Sequence, residues 1–152
     1  LPFLVLYKSL GLLDSRIGLI LLYTLMVLPI VIWIMRDQFQ GIPIELEEAA
    51  LVDGLGIWGA FLQIVMPIAL PGMVAAFILS LVLCWNEYFF AALLTSTNAT
   101  TLPVMVASQT GSQGINWWSM AALSSAAILP LVIVAIVLEK YIIKGMAAGA
   151  VK

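Results

Sequence analysis

Residues 17–35 read IGLILLYTLMVLPIVIWIM, nineteen consecutive residues without a charge. At about 1.5 Å per residue such a helix rises close to the roughly 30 Å of hydrocarbon in a bilayer, so the run predicts a membrane span. Pro29 lies inside it. In lipid the carbonyl that a proline frees can be satisfied by a neighbouring helix, so a kink is expected there and not an end. Trp33 suits the aromatic belt near one interface.

The rest of the chain agrees with that run. Of 152 residues 64% are hydrophobic and 9% charged, against about 25% charged residues in soluble domains. No charge occurs between Asp53 and Glu87, a gap of 33 residues, or between Glu87 and Glu139, a gap of 51. Segments of this kind belong in lipid, which argues against a soluble enzyme. With no His and the single Cys84, the chain holds no disulfide, no Cys/His zinc site and no His-based triad, and no metal ligand set is expected. A net charge of −2 without a basic patch argues against nucleic acid as a partner. The P-loop pattern GxxxxGK[ST] is absent, so this chain is expected to bind no cofactor and to take its energy from elsewhere.

The expected class is all-α, a polytopic transmembrane helical bundle with about three full spans and the end of a fourth. Residues 1–7 are the end of a span. The later spans are 17–35, 73–94 and 119–138, with Pro130 as a second kink. Between the first two, the piece IWGAFLQIVMPIALPG is read as too broken to cross, because Pro67 and Pro71 interrupt it. Residues 95–118, rich in Thr, Ser, Gln and Asn, form an outer loop with a helical turn near 103–109. Residues 139–152 form a tail. The opening Leu1-Pro2-Phe3, without an initiator Met or a signal peptide, suggests a piece of a longer membrane protein.

Three spans place the 36–71 loop and the tail on one side. Lys and Arg number four there (Arg36, Lys140, Lys144, Lys152) against two opposite (Lys8, Arg16). The positive-inside rule therefore puts the 36–71 loop and the C-terminus in the cytoplasm.

That loop holds six of the fourteen charges: Arg36, Asp37, Glu45, Glu47, Glu48 and Asp53. Pro43 as a first-turn residue, acids in the first turn and Gly54 as a stop predict a short helix over 43–53. An amphipathic helix lying on the membrane is the rival reading, but such helices favour Lys and Arg on their polar face, and this one is acidic.

Within the loop, Glu48-Ala49-Ala50, three residues, Gly54, nine residues and then Ile64-Val65-Met66-Pro67 resemble the EAA motif of ABC importer permeases, EAA-x3-G-x9-I-x-L-P. The one departure is Met66 in place of Leu, an exchange that keeps volume and apolarity. In that family the element is the coupling helix, which docks into a separate ATPase. The resemblance implies ATPase-coupling roles for Glu47, Glu48, Ala49, Ala50, Asp53, Gly54, Ile64 and Pro67. Small residues allow close approach and Gly54 allows a sharp turn. Glu48 would face the ATPase or cap its own helix, and its acidic neighbours imply a basic rim on the partner.

FQGIPIELEEAALVDG at 39–54, WNEYFF at 85–90 and the ending GMAAGAVK look like maltose-type permeases of the carbohydrate-uptake class, over the whole of 1–152. The resemblance implies a type I importer permease in a bacterial inner membrane. Its implied partners are a second permease subunit, ATP-binding subunits that use the ATP, an extracytoplasmic solute-binding protein, and a sugar or sugar alcohol as cargo.

Asn86 and Glu87 interrupt a span, and an ionisable residue there is by default a functional candidate. An amide beside a carboxylate suits hydroxyl-rich cargo. The plainer alternative places Glu87 solvated at the outer interface, with Trp85 and Tyr88 as belt residues. Ser124 and Ser125, with Gln109, are pathway candidates or bond across helices. Ala121-x3-Ser125, Ala122-x3-Ala126 and Gly145-x3-Gly149 favour tight helix packing. Rival functions are a channel or secondary transporter, which needs no ATPase, and a structural subunit without cargo. Neither requires an EAA-spaced acidic loop.

Overall fold

The structure, a computed structural model, describes residues 2–111 and 114–149, the last ten of these as backbone only. Helix α1 covers Pro2–Ser9 and α2 Arg16–Gln40, with Pro29 inside. The short α3, Ile44–Val52, follows. Then α4 (Ile57–Ala60), a π-helical turn (Phe61–Val65) and α5 (Met66–Trp85) run on without a break. Helices α6 (Phe89–Leu94) and α7 (Leu102–Ala107) lead to a two-stranded antiparallel hairpin, β1 (Thr110–Gly111) and β2 (Gly114–Ile115). Helix α8 covers Trp117–Gly149. Among the described residues, three helices are long and apolar enough to cross a membrane: Arg16–Gln40, Ile57–Trp85 and Trp117–Glu139.

The expected span over 73–94 is corrected at both ends. Helical structure begins at Ile57, because the π turn just before Pro67 absorbs the proline that was expected to break it. A widened turn carries no regular i→i−4 ladder for the ring to clash with, so the helix axis continues. At the other end the helix stops at Trp85, and residues 86–88 separate it from α6. The expected tail at 139–152 is also helical through Gly149. Lys152 and the final Ala150-Val151 of the sequence resemblance lie outside the described residues. The side chains of Lys140, Lys144 and the Gly145–Gly149 spacing do as well.

Contacts divide the chain into two units, Leu1–Leu28 with Leu81–Ile133, and Pro29–Ser80 with Val134–Lys152. In the first, Tyr7, Leu22 and Leu94 pack with Leu12, Tyr23 and Phe90, and Leu19, Ala91 and Ala99 with Val104. The Tyr7 hydroxyl donates to the Gly18 carbonyl at 3.0 Å. A Cβ on Gly18 would stand 2.6 Å from the Leu12 carbonyl oxygen, so this approach requires glycine. In the second, Ile42, Val65 and Ala69 pack with Phe61. Small residues lie at the closest contacts, as expected where lipid is as apolar as the helix faces and association depends on close packing. The outward faces remain apolar, with Ile20, Leu25, Trp33, Ile133 and Ile136 exposed.

Candidate functional site

Each unit holds a candidate feature. The first is α3. Its N-cap position is Pro43, in extended conformation and with no side-chain cap bond, one residue earlier than the first-turn place expected from sequence. Glu48 is well inside the helix and exposed, so it does not cap it. Ala50 is the one buried residue of the helix at 4% exposure; Glu45, Glu47, Glu48 and Ala49 are exposed, as are the apolar Ile44, Leu46, Leu51 and Val52. Acidic and apolar side chains together are thus left uncovered on a rigid turn of backbone.

The C-terminal end of α3 is closed by its own chain. Leu55 N–H donates to the Ala50 carbonyl at 3.0 Å, and Gly54 N–H to Leu51 at 3.1 Å. This is the Schellman pattern, which requires a left-handed residue after the cap. Gly54 supplies it, at φ +89°, with open space around the site of a Cβ. Its glycine is demanded by backbone conformation and not by crowding. Ile64 lies in the π turn and Pro67 at the start of α5. The same π turn contributes Val65 to the cluster with Ile42, the residue immediately before Pro43. The N-terminal end of α3 is therefore tied to the π turn by packing, and the C-terminal end is closed by its own backbone. Asp53 is the C-cap residue.

The second feature is a groove of about 400 Å³ in the other unit. Trp85, Asn86 and Tyr88 line it from the break after α5. Pro103, Val106 and Ala107 line it from α7, and Ser124, Ala127, Ile128 and Leu131 from α8. It is apolar along its walls with a few polar groups at fixed places, the usual make-up of a small-molecule site. The Asn86 Nδ2 donates to the Val82 carbonyl at 2.9 Å, which leaves Oδ1 as its acceptor for anything bound. The Trp85 indole N–H donates to the Ala127 carbonyl at 3.1 Å. Ala127 follows Ala126, whose carbonyl has no N–H donor from Pro130 four residues on.

The structure separates the four pathway candidates. Asn86 and Ser124 line the groove; Glu87 and Ser125 do not, and Ser125 is exposed. Glu87 is half-buried and does not line the groove. Its carboxylate accepts from the Tyr23 hydroxyl at 2.9 Å, the Phe90 amide at 2.8 Å and the Ala91 amide at 3.1 Å. It thereby satisfies N–H groups that the first turn of α6 leaves open. Gln109 bonds locally, to the Met105 carbonyl and the Ser108 hydroxyl. Ala121, Ala122, Ser125 and Ala126 are all exposed.

One arrangement has no counterpart in the sequence reading. Asp14, at φ 50°, places its carboxylate in the turn at 96–99. Amide N–H groups of Ser96, Thr97, Asn98 and Ala99 donate to it at 2.9 to 3.1 Å, joined by the Ser96 and Thr97 hydroxyls and the Asn98 side-chain amide. The Ser96 and Asn98 amides hold the Asp14 carboxyl far below the usual carboxylate range. The Ser-Thr-Asn run marks a turn by composition, but its partner is 82 residues away. No local pattern could identify that pairing.

A family model described as "Binding-protein-dependent transport system inner membrane component" matches residues 1–148. Among similar proteins, a putative ABC transporter permease protein of Streptomyces antibioticus is 35% identical over 100% of this chain and 67% of its own length. A trehalose transport system permease protein of Mycobacterium tuberculosis is 36% identical over 99% of the chain and 56% of its own length. A trehalose/maltose transport system permease protein of Thermococcus litoralis is 35% identical over 95% and 53%. The chain thus spans between about half and two thirds of the length of these relatives.

Proposed function

The chain belongs to the family of binding-protein-dependent transport system inner membrane components, and we propose that it acts as one permease subunit of an ATP-driven importer for a sugar or sugar alcohol. The single observation that carries this reading is α3. It is a short helix held at both ends that leaves Glu45, Glu47, Glu48, Leu46 and Val52 exposed beside the EAA-spaced Gly54. An acidic and apolar knob of this kind suits docking into a cleft on a separate protein, and a basic rim on that cleft would complement it. In this reading Glu47, Glu48, Ala49, Ala50, Asp53, Gly54, Ile64 and Pro67 form the coupling element, and ATP is bound and hydrolysed by partner ATP-binding subunits. A second permease subunit would complete the pathway, and an extracytoplasmic solute-binding protein would deliver the cargo.

The groove is the cargo-facing part of the pathway. Trp85 and Tyr88 offer aromatic faces, and Asn86 and Ser124 offer hydrogen-bonding groups to hydroxyls. ATP binding would close the ATPase dimer, shift α3 as a rigid lever and turn the groove outward; hydrolysis would reset it. Each step biases a two-state element. The α3 loop and the C-terminus face the cytoplasm, on the count of Lys and Arg.

The test is reconstitution of the full-length subunit with its neighbouring permease, ATP-binding subunits and binding protein, followed by uptake of radiolabelled sugars and polyols. Uptake that requires both ATP and the binding protein supports the reading. Cargo movement by the permease without any ATPase would replace it with a channel or secondary transporter.

A further inference from the structure

The groove is shaped by a stretch of chain that contributes nothing to its lining. One wall, Trp85 to Tyr88, is tied through Glu87 to the Tyr23 hydroxyl on α2. Another wall, Pro103 to Ala107 on α7, follows directly on the 96–99 turn that wraps the Asp14 carboxylate. Asp14 and Tyr23 bracket the start of α2, and neither lines the groove. We propose that Asp14 and Tyr23 are positioning residues for cargo: the start of α2 sets the spacing of the two walls, one through Glu87 and the other through the Ser96–Ala99 turn. This rests on the groove being the cargo site.

The two ties differ in construction, and conservative changes can release each one alone. Glu87 also accepts from the Phe90 and Ala91 amides at the start of its own helix. Tyr23→Phe therefore removes the long-range tie and leaves the local cap in place. Asp14 sits at positive φ, which Asn tolerates. Asp14→Asn thus keeps the backbone, while its Nδ2 cannot accept from the amides that point at the carboxylate. Each change removes the tie without removing any groove side chain.

The experiment uses the full-length subunit in the assembled transporter in membranes. The first readout is independent of cargo. An Ala107→Cys variant reports the α7 wall and native Cys84, beside Tyr23 and Trp85 in a neighbouring cavity, reports the other; both are followed by alkylation rate and mass spectrometry. Asp14→Asn should change the rate at position 107, and Tyr23→Phe that at Cys84, each by about threefold or more, the scale of one lost hydrogen bond. Unchanged rates at both positions would overturn the proposal. The second readout is uptake kinetics, with Asn86→Ala as the groove control. Both positioning variants should raise the cargo KM by roughly three- to tenfold with a smaller effect on Vmax. If Asn86→Ala raises KM and the positioning variants do not, the proposal is overturned. A purely structural role would lower membrane abundance and Vmax at fixed KM, which also overturns it. If Asn86→Ala leaves KM unchanged, the cargo reading of the groove fails, and the alkylation rates alone decide the positioning.

Discussion

Helix α3 and the groove are built in opposite ways. Everything that shapes α3 comes from its own neighbourhood: Pro43 ahead of it, the Leu55 and Gly54 amides closing it, and Ile42 and Val65 packing at its base. The groove is assembled from residues far apart in sequence, with Glu87 bonded to Tyr23 64 positions away and Trp85 to Ala127 42 positions away. A locally closed element moves as one piece, which suits a lever. A site made of long-range ties changes shape when any one tie shifts, which suits the opening and closing proposed for it.

The largest expected effect tests the rigidity of the lever. Gly54→Val puts a β-branched residue at φ +89°, where the left-handed conformation costs a non-glycine residue about 1–2 kcal/mol. Cargo-stimulated ATPase activity should fall by about tenfold or more, with membrane insertion preserved. Normal stimulation would mean that α3 need not be rigid. The next test addresses its charge: Glu48→Lys reverses an exposed carboxylate, which under the proposed docking would face a basic rim. It should weaken ATPase association by several-fold, most visibly at low salt. Co-purification in 50 mM and 300 mM salt measures it.

In the groove, smaller effects separate neighbours. Ser124→Ala should raise cargo KM by about two- to fivefold, and Ser125→Ala should leave it within about 1.5-fold, since only Ser124 lines the cavity. Equal effects from both would contradict the assigned lining. Trp85→Phe keeps an aromatic face but loses the bond to the Ala127 carbonyl and part of the side-chain volume, and a thermal shift of a few degrees is expected.

The smallest effect near neutral pH concerns Asp14. Its carboxyl is held below its ordinary value of about 3.9, so the turn at 96–99 gains stability at pH above that value and loses it as pH falls below. Hydrogen exchange at the Ser96 and Asn98 amides should be steadily protected from pH 8 to about pH 4.5 and lose protection only in stronger acid. Asp14→Asn should show low protection throughout. A loss of protection centred near pH 6 would contradict the assignment to Asp14.

The same contrast explains what could be read from sequence. The acidic helix and Gly54 were legible because each depends on adjacent residues: Pro43, the first-turn acids and a left-handed glycine at the stop. The extent of the middle span was not, because Pro67 normally breaks a helix and the π turn that accommodates it leaves no mark in composition. Glu87 was legible as unusual and not as to its use, since the hydroxyl that holds it belongs to α2. Asp14 lies between the expected segments 1–7 and 17–35, and its pairing with 96–99 exists only after the chain is folded.

In the proposed function α3 is the surface through which this subunit meets its ATPase. In the assembled transporter, a Glu47→Cys variant carrying a short photo-crosslinker should join the ATP-binding subunit with a yield that changes on ATP addition. A probe at Ser125→Cys on α8 should not. Absence of the α3 product while transport remains intact, or equal products from both positions, would contradict the account.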